Sequence, residues 1–174
     1  MELLSGAERN QLFERFQHDA FHLELRDDYS VPEENGPFQN WLTGATTDTA
    51  FLAPWTRLVY QATSRGMTVR RVRVVTEPAT PYLQWEHTVT PLNQEAGEDI
   101  RWLPRRLLPD GLSFPFAGRD WWLFDDRLLA VGHFDPDGRV LGSQIMEAPD
   151  IVTACVRLRD QLWHLAIPHA EYTL

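Results

Sequence analysis

The chain contains no lysine; all 16 of its basic residues are arginine. That usage points to a GC-rich coding genome more than to any mechanism. Cysteine occurs once, at Cys155, which excludes an intramolecular disulfide framework and fits a reducing cytoplasm. Cys155 lies in an apolar run, which favours a core residue over a nucleophile. No stretch approaches the roughly 18 apolar residues of a membrane span, and the opening MELLSGAERN is acidic and amphipathic, unlike a signal peptide. The histidines (His18, His22, His87, His133, His164, His169) show no H-x-x-x-H register on one element, and C-x-x-C is missing. His18 and His22 are four apart but straddle a predicted helix-to-strand break, so no metal is expected. G-x-S-x-G, P-loop and dinucleotide fingerprints are also missing, and no cofactor is expected.

What is present is the composition of a packed domain. The 174 residues are 43% hydrophobic and include seven tryptophans. A single domain, 1–174, is expected to bury roughly 70% of its unfolded surface. Its charge of −9 is uneven: residues 1–48 hold ten acids against three arginines, a net of −7, and the remainder a net of −2. The reading is an acidic helical arm, 1–48, before an α/β core, 49–174. Such an arm disfavours phosphate backbones and suits a basic partner or a solvated face.

The chain is organised around Arg65 to Arg105. Met67–Val75 is rich in β-branched residues and reads as a strand. Thr80 can cap a helix with Pro81 at its first position, and Tyr82, Leu83, Glu86, Thr90 and Asn93 follow at helical spacing. Gly97 ends that helix of one to three turns, and Asp99–Leu103 returns as a second strand. Strand, helix and strand make a βαβ crossover with a parallel, covered sheet. Further on, Asp120–Phe124, Leu128–Phe134 and Arg139–Ile145 read as strands, and Asp150–Leu165 as a closing helix. In the arm, Ala7–Gln17 reads as an amphipathic helix capped by Ser5 and Glu8, and Ala20–Leu25 as a half-buried strand. Glu33–Leu42 reads as a short helix broken at Gly36-Pro37, and Gly44–Asp48 as a linker. Thr49–Ser64 is a further helix. The fold class is α/β, a mixed sheet with a parallel βαβ core and a later antiparallel hairpin.

The candidate chemistry centres on arginine. On a strand, Arg71 and Arg73 share a face with Val69 and Val75, with Arg70 opposite. Two guanidinium groups on a covered face need partners, because an unpaired buried charge is costly. Glu77, Glu86, Glu98 and Asp125 are the acids available. One reading is an internal salt-bridge network. The other is an anion or ligand site built from Arg71, Arg73, Arg101 and Arg105, with Glu77, Asp120, Asp125 and His133 nearby. His133 is the best lone general base. Asp125-Asp126 and the D-P-D-G at 135–138 read first as turns. Trp121, Trp122, Phe124 and Trp102 suit a core better than a ligand cage.

The runs AFHLELRDDYSV, RGMTVRRVRVVTEPATPYLQWE, AGEDIRWLPR and DWWLFDD resemble an uncharacterised actinobacterial family of small cytoplasmic proteins. It is a domain of unknown function often encoded beside helix-turn-helix regulators. A second resemblance is architectural: from Met67 onward, the order is similar to half of a phospholipase D-like domain, whose hairpin carries H-x-K and a following Asp. With Asp125 or Asp126 as that carboxylate, the His and Lys positions fall on Gly118 and Asp120, or on Arg119 and Trp121. Neither pair can form a phosphohistidine or clamp a phosphate. The resemblance thus implies a catalytically empty version of that fold.

The leading expectation is a non-catalytic regulatory or interaction protein. Its partner would be a helix-turn-helix regulator or a small companion, or its ligand a small anionic effector, with no direct nucleic-acid contact and no membrane. The alternatives are a divergent phosphodiesterase or nucleotide-processing enzyme, using His133 with Asp125 or Asp120, and a toxin-like module neutralised by a partner.

Overall fold

The computed structural model describes residues 2–46 and 48–174 and contains one mixed sheet of seven strands. The strands are β1 (Asp19–Glu24), β2 (Thr68–Val75), β3 (Glu98–Pro104), β4 (Trp121–Phe124), β5 (Leu128–Phe134), β6 (Val140–Met146) and β7 (Ile167–Pro168). Their order is β6-β5-β4-β1-β2-β3-β7. β1, β2 and β3 run parallel, and every other pairing is antiparallel. The helices are α1 (Gly6–Asn10), α2 (Pro32–Leu42), α3 (Ala53–Thr63), α4 (Pro81–Glu95) and α5 (Pro149–Leu165). Among the described residues no helix is long and apolar enough to cross a membrane.

The crossover forms as its residues dictate. The Thr80 side chain accepts from the Leu83 N–H, and Pro81 opens α4. α4 has 15 residues, about four turns rather than one to three, and buries Tyr82, Leu83, Trp85, Glu86, Val89, Thr90 and Asn93 against the sheet and α2. Gly97 closes it at φ +100, where an added Cβ would stand 2.7 Å from Thr63 Oγ1. α2 runs unbroken through Pro37, because Phe38 packs on Tyr82 and Trp85 of α4 and this contact outweighs local propensity. The 3₁₀ turn Ala50–Leu52 precedes α3.

The acidic arm requires a correction. β1 lies within residues 1–48, yet it occupies the middle of the sheet, between β2 and β4. Two of the arm's acids are consumed there: Asp19 pairs with Arg70 at 2.7 Å and Glu24 with Arg71 at 2.5 Å. The first third is therefore part of the core layer and not an appendage to it. Thr47, in the expected linker, lies outside the described residues.

α5 covers one face of the sheet, where Phe21, Leu23, Val72 and Val74 meet Cys155 and Leu162. Burial pushes the Cys155 thiol up to about 11, as suits a core side chain. On the other face, Ala20, Val69 and Trp122 pack with Val59 and Ala62 of α3 and with Phe13. The adjacent Trp121 and Trp122 are buried on opposite faces, Trp121 5.6 Å from the Phe21 ring and Trp122 4.9 Å from that of Phe13. The two-residue strand β7 has no sequence period to reveal it. It pairs with Arg101 and Trp102 and brings the tail back across β3.

Candidate ligand-binding cavity

The α3–α4 face of the sheet is not uniformly apolar. The pleat of β1 places His22 and Glu24 on this face, and that of β2 places Arg71 and Arg73 beside them. β1 is also the strand at which the sheet changes from parallel to antiparallel pairing. A cavity of about 690 Å³ opens here, lined from β1, β2 and β4, the segment after β1, and helices α3 and α4.

Two arginines anchor its floor. Arg71 donates from Nε to Glu98 Oε1 at 2.7 Å and from Nη1 to Glu24 Oε1 at 2.5 Å. Its guanidinium lies 5.6 Å from the Trp55 ring centroid and 5.9 Å from that of Trp122. Burial alone would lower its pKa, but Glu24 and Glu98 outweigh burial and hold it above the usual arginine range. Arg73 is paired with Glu24 at 3.3 Å and with Glu86. Glu98 is the hub: it also accepts from Trp55 Nε1 at 2.8 Å and from Asn93 Nδ2 at 3.0 Å. His22 stacks on Trp122 at 4.2 Å and is held neutral by burial, reinforced by Arg71.

Two tyrosine–carboxyl pairs frame the opening. Tyr29 donates to Asp120 Oδ2 at 2.6 Å, and Asp120 Oδ1 accepts the Leu25 N–H at 2.8 Å. Tyr82 donates to Glu34 Oε2 at 2.6 Å. Burial raises Asp120 to about 7 against both hydrogen bonds, with the charge of Glu24 adding to the rise. Burial likewise raises Glu34.

The shift of Asp120 has a consequence for stability. The folded side chain keeps its proton up to about pH 7, whereas the unfolded one releases it near 3.8. Between these values the folded chain binds the extra proton, so this group costs stability as pH rises through the window and the cost is complete above it. Asp120→Asn is expected to gain on the wild type by about 2–3 kcal/mol between pH 4 and pH 8, discounting for the solvent that reaches the cavity. Paired urea titrations at the two pH values measure it, and an unchanged difference would contradict the assignment.

Of the residues singled out from the sequence, Arg71, Arg73 and Asp120 line this cavity together. The other five lie elsewhere. Arg101 is on the α5 face, 4.0 Å over the Trp163 ring, with Nη1 bonded to the Trp163 carbonyl. Arg105 clasps Thr76 Oγ1 and the Leu25 carbonyl. Glu77 pairs with Arg106 at 2.7 Å and accepts from Tyr172. Asp125, in left-handed backbone at φ +52, accepts the N–H groups of Gln17, His18 and Asp19. It thereby fixes the entry to β1. His133 contacts Arg119 at 2.9 Å and Gln144 at 3.2 Å, on the β5–β6 hairpin. His22, Glu24, Tyr29 and Glu34 were missed as site residues because the segment 1–48 was read as an arm. The alternation of AFHLEL, with His22 and Glu24 on one side, was the available signal.

The backbone is similar to that of NucT from Helicobacter pylori, at a TM-score of 0.53 and 9% sequence identity, covering 91% of this chain and 87% of that one. At that identity the likeness concerns the fold, which is phospholipase D-like. No curated protein matches the chain. The model of the family described as a domain of unknown function (DUF6879) matches residues 7–174, and the chain belongs to that family.

Proposed function

We propose that this chain is a non-catalytic effector-binding domain, built on a phospholipase D-like fold whose catalytic positions hold other residues. The observation that carries the reading is the cavity of about 690 Å³ floored by buried charged groups. Its volume falls within the range of small-molecule sites, and its aromatic lining with a few convergent polar groups is their usual chemistry. The two tyrosine–carboxyl pairs and the Arg71–Glu98 hub hold that lining in place without a ligand.

The test is a thermal-shift screen of small metabolites against the wild type and Val31→Trp. Val31 lies on the cavity wall just before α2, half-buried, so an indole there obstructs the opening without touching the core. A ligand at a hundred times its Kd contributes about 2.7 kcal/mol, which for a chain of this size is a rise of roughly 5–10 °C. The rise is expected in the wild type and is expected to vanish in Val31→Trp. An equal rise in both would place binding elsewhere.

The phosphodiesterase reading has its own check. Asp120 and Arg71 share the cavity, but His133 does not line it; the histidine that does is His22. Turnover of bis(p-nitrophenyl) phosphate is expected at background, and turnover lost in His22→Asn would replace the effector reading with a catalytic one. The regulatory part of the proposal is a helix-turn-helix partner held by the exposed acids of the first third, Glu2, Glu8, Glu14, Asp28, Glu33 and Asp48. Recovery of such a protein from a native lysate at low salt, and its loss at raised salt, would support it.

A further inference from the structure

We infer that the cavity takes an organic monocarboxylate, whose charged end is received by Arg9 of α1 and whose aromatic or aliphatic body fills the remaining volume. The inference rests on the effector-binding reading above and adds the class of ligand.

The first observation is a guanidinium without an acid. Arg9, in the last turn of α1, is half-buried and lines the cavity. It donates only to the neutral Asn10 Oδ1, from Nε at 3.3 Å and from Nη2 at 2.8 Å. Among the described residues no acid pairs with it. Burial lowers its pKa, and the charged neighbour that adds to this is another cation, Arg71. A charge withdrawn from water without a counterion is costly, and an anionic ligand supplies the missing partner.

The acids of the cavity are already engaged. Glu24 and Glu98 hold Arg71, and Glu24 and Glu86 hold Arg73. Asp120 and Glu34 receive the hydroxyls of Tyr29 and Tyr82. Burial raises both of these carboxyls toward the protonated form, which does not repel an anion. The exposed Glu33 and Arg139 at the rim are of opposite sign. His22 registers the resulting field: after burial, Arg71, Arg9 and Arg73 each depress its proton affinity.

The hydrogen-bonding groups left over are donors, an observation independent of the charges. Trp122 is 4% exposed and lines the cavity, yet its Nε1 has no acceptor. Arg73, 6% exposed, also lines it, and its Nε has none either. Buried donors are ordinarily satisfied, so these mark places for a ligand's acceptor oxygens. Trp122 belongs to the arginine-rich end, since its ring stacks on His22 and lies 5.9 Å from the Arg71 guanidinium. A carboxylate brings one charge and two acceptor oxygens, one for Arg9 and one for the indole N–H. A phosphate monoester brings close to two charges, and the second would stand beside Glu24 and Glu86. Tyr29, Phe51, Val89 and Phe134 elsewhere on the lining suit the ligand's body.

The experiment compares probes that share a phenyl ring and differ in charge: hydrocinnamate, hydrocinnamide, phenethylamine and phenyl phosphate. Each is titrated calorimetrically into the full chain at about pH 6, where hydrocinnamate is ionised. Hydrocinnamate is expected to bind about ten-fold more tightly than its amide. Phenyl phosphate is expected to bind less tightly than hydrocinnamate, and the amine least tightly. Arg9→Gln is expected to reduce hydrocinnamate to the affinity of the amide, and Arg9→Lys, which keeps the charge, to recover part of the difference. Arg9 bonds only to its chain neighbour, so these variants keep the fold. Trp122→Phe is expected to weaken hydrocinnamate several-fold; if that core variant folds poorly, the Arg9 variants still decide. Equal binding by acid and amide, tightest binding by the amine or by phenyl phosphate, or a preference that survives Arg9→Gln overturns the inference while leaving the effector cavity in place. Binding by none of the probes also overturns it, and the Val31→Trp screen then decides the cavity reading separately.

Discussion

Replacing Glu98 with alanine is expected to remove about 3–5 kcal/mol of folding stability, the usual consequence of taking one partner from a buried ion pair. Glu98 is 2% exposed and accepts from three donors: Arg71 Nε, Trp55 Nε1 and Asn93 Nδ2. Its loss leaves a guanidinium, an indole N–H and an amide without their acceptor in a region where water cannot replace it fully. Glu98→Gln keeps the shape but presents a neutral amide to Arg71, and it is expected to fall between alanine and the wild type. Chemical denaturation of the three proteins provides the measurement. A loss below about 1 kcal/mol for alanine would mean that Glu24 alone suffices to hold Arg71.

Trp102→Ala is expected to produce a loss of similar size, about 3–5 kcal/mol for a large buried aromatic, with a localised signature. Trp102 is fully buried, stacks on Tyr172 at 5.4 Å and donates from Nε1 to His169 Nδ1 at 3.0 Å. To accept that bond His169 must be neutral, and burial, reinforced by His87, lowers it to about 4. The indole thus ties β7 and the turn His169–Glu171 to the sheet. Hydrogen exchange in Trp102→Ala is expected to rise first across residues 167–172, with β1 and β2 still protected. Trp102→Phe would restore the stacking but not the bond, and so recover only part of the protection. Uniform exchange across the whole chain would show instead that the tail unfolds only with the core.

Much of the fold was legible because its signals are local. Thr80-Pro81 and Gly97 mark the two ends of α4, and the β-branched run before them allows little but a strand. The sharing of a face by Arg71 and Arg73 followed from the period of two, and so did the alternation of Phe21 and Leu23 against His22 and Glu24. What the chain does not encode locally is adjacency. That β1 enters between β2 and β4 depends on pairings about fifty and a hundred residues away, and nothing in AFHLEL specifies them. The composite site was hidden for the same reason. Its acids come from β1, α2, α4 and the residue just before β4, and only the sheet order brings them to the arginines of β2. Conversely, Arg101 and Arg105 were grouped with Arg71 by residue type, although the pleat turns Arg101 to the α5 side.

The central position of β1 also constrains the order in which this protein can be made. Asp19 lies 51 residues from its partner Arg70 and 106 from Asp125, which accepts its N–H and those of the two residues before it. The middle strand is therefore synthesised early, and its second edge has no neighbour until β4 has left the ribosome. Closing loops of that length makes for slow assembly, and an unpaired central strand is a template for wrong partners in the interval. The charged residues along that strand, Asp19 and Glu24, with His22 between them, make the waiting edge less adhesive than an all-apolar one would be. Two of the groups that equip the cavity in the finished protein, His22 and Glu24, thus also guard its central strand while the chain is incomplete.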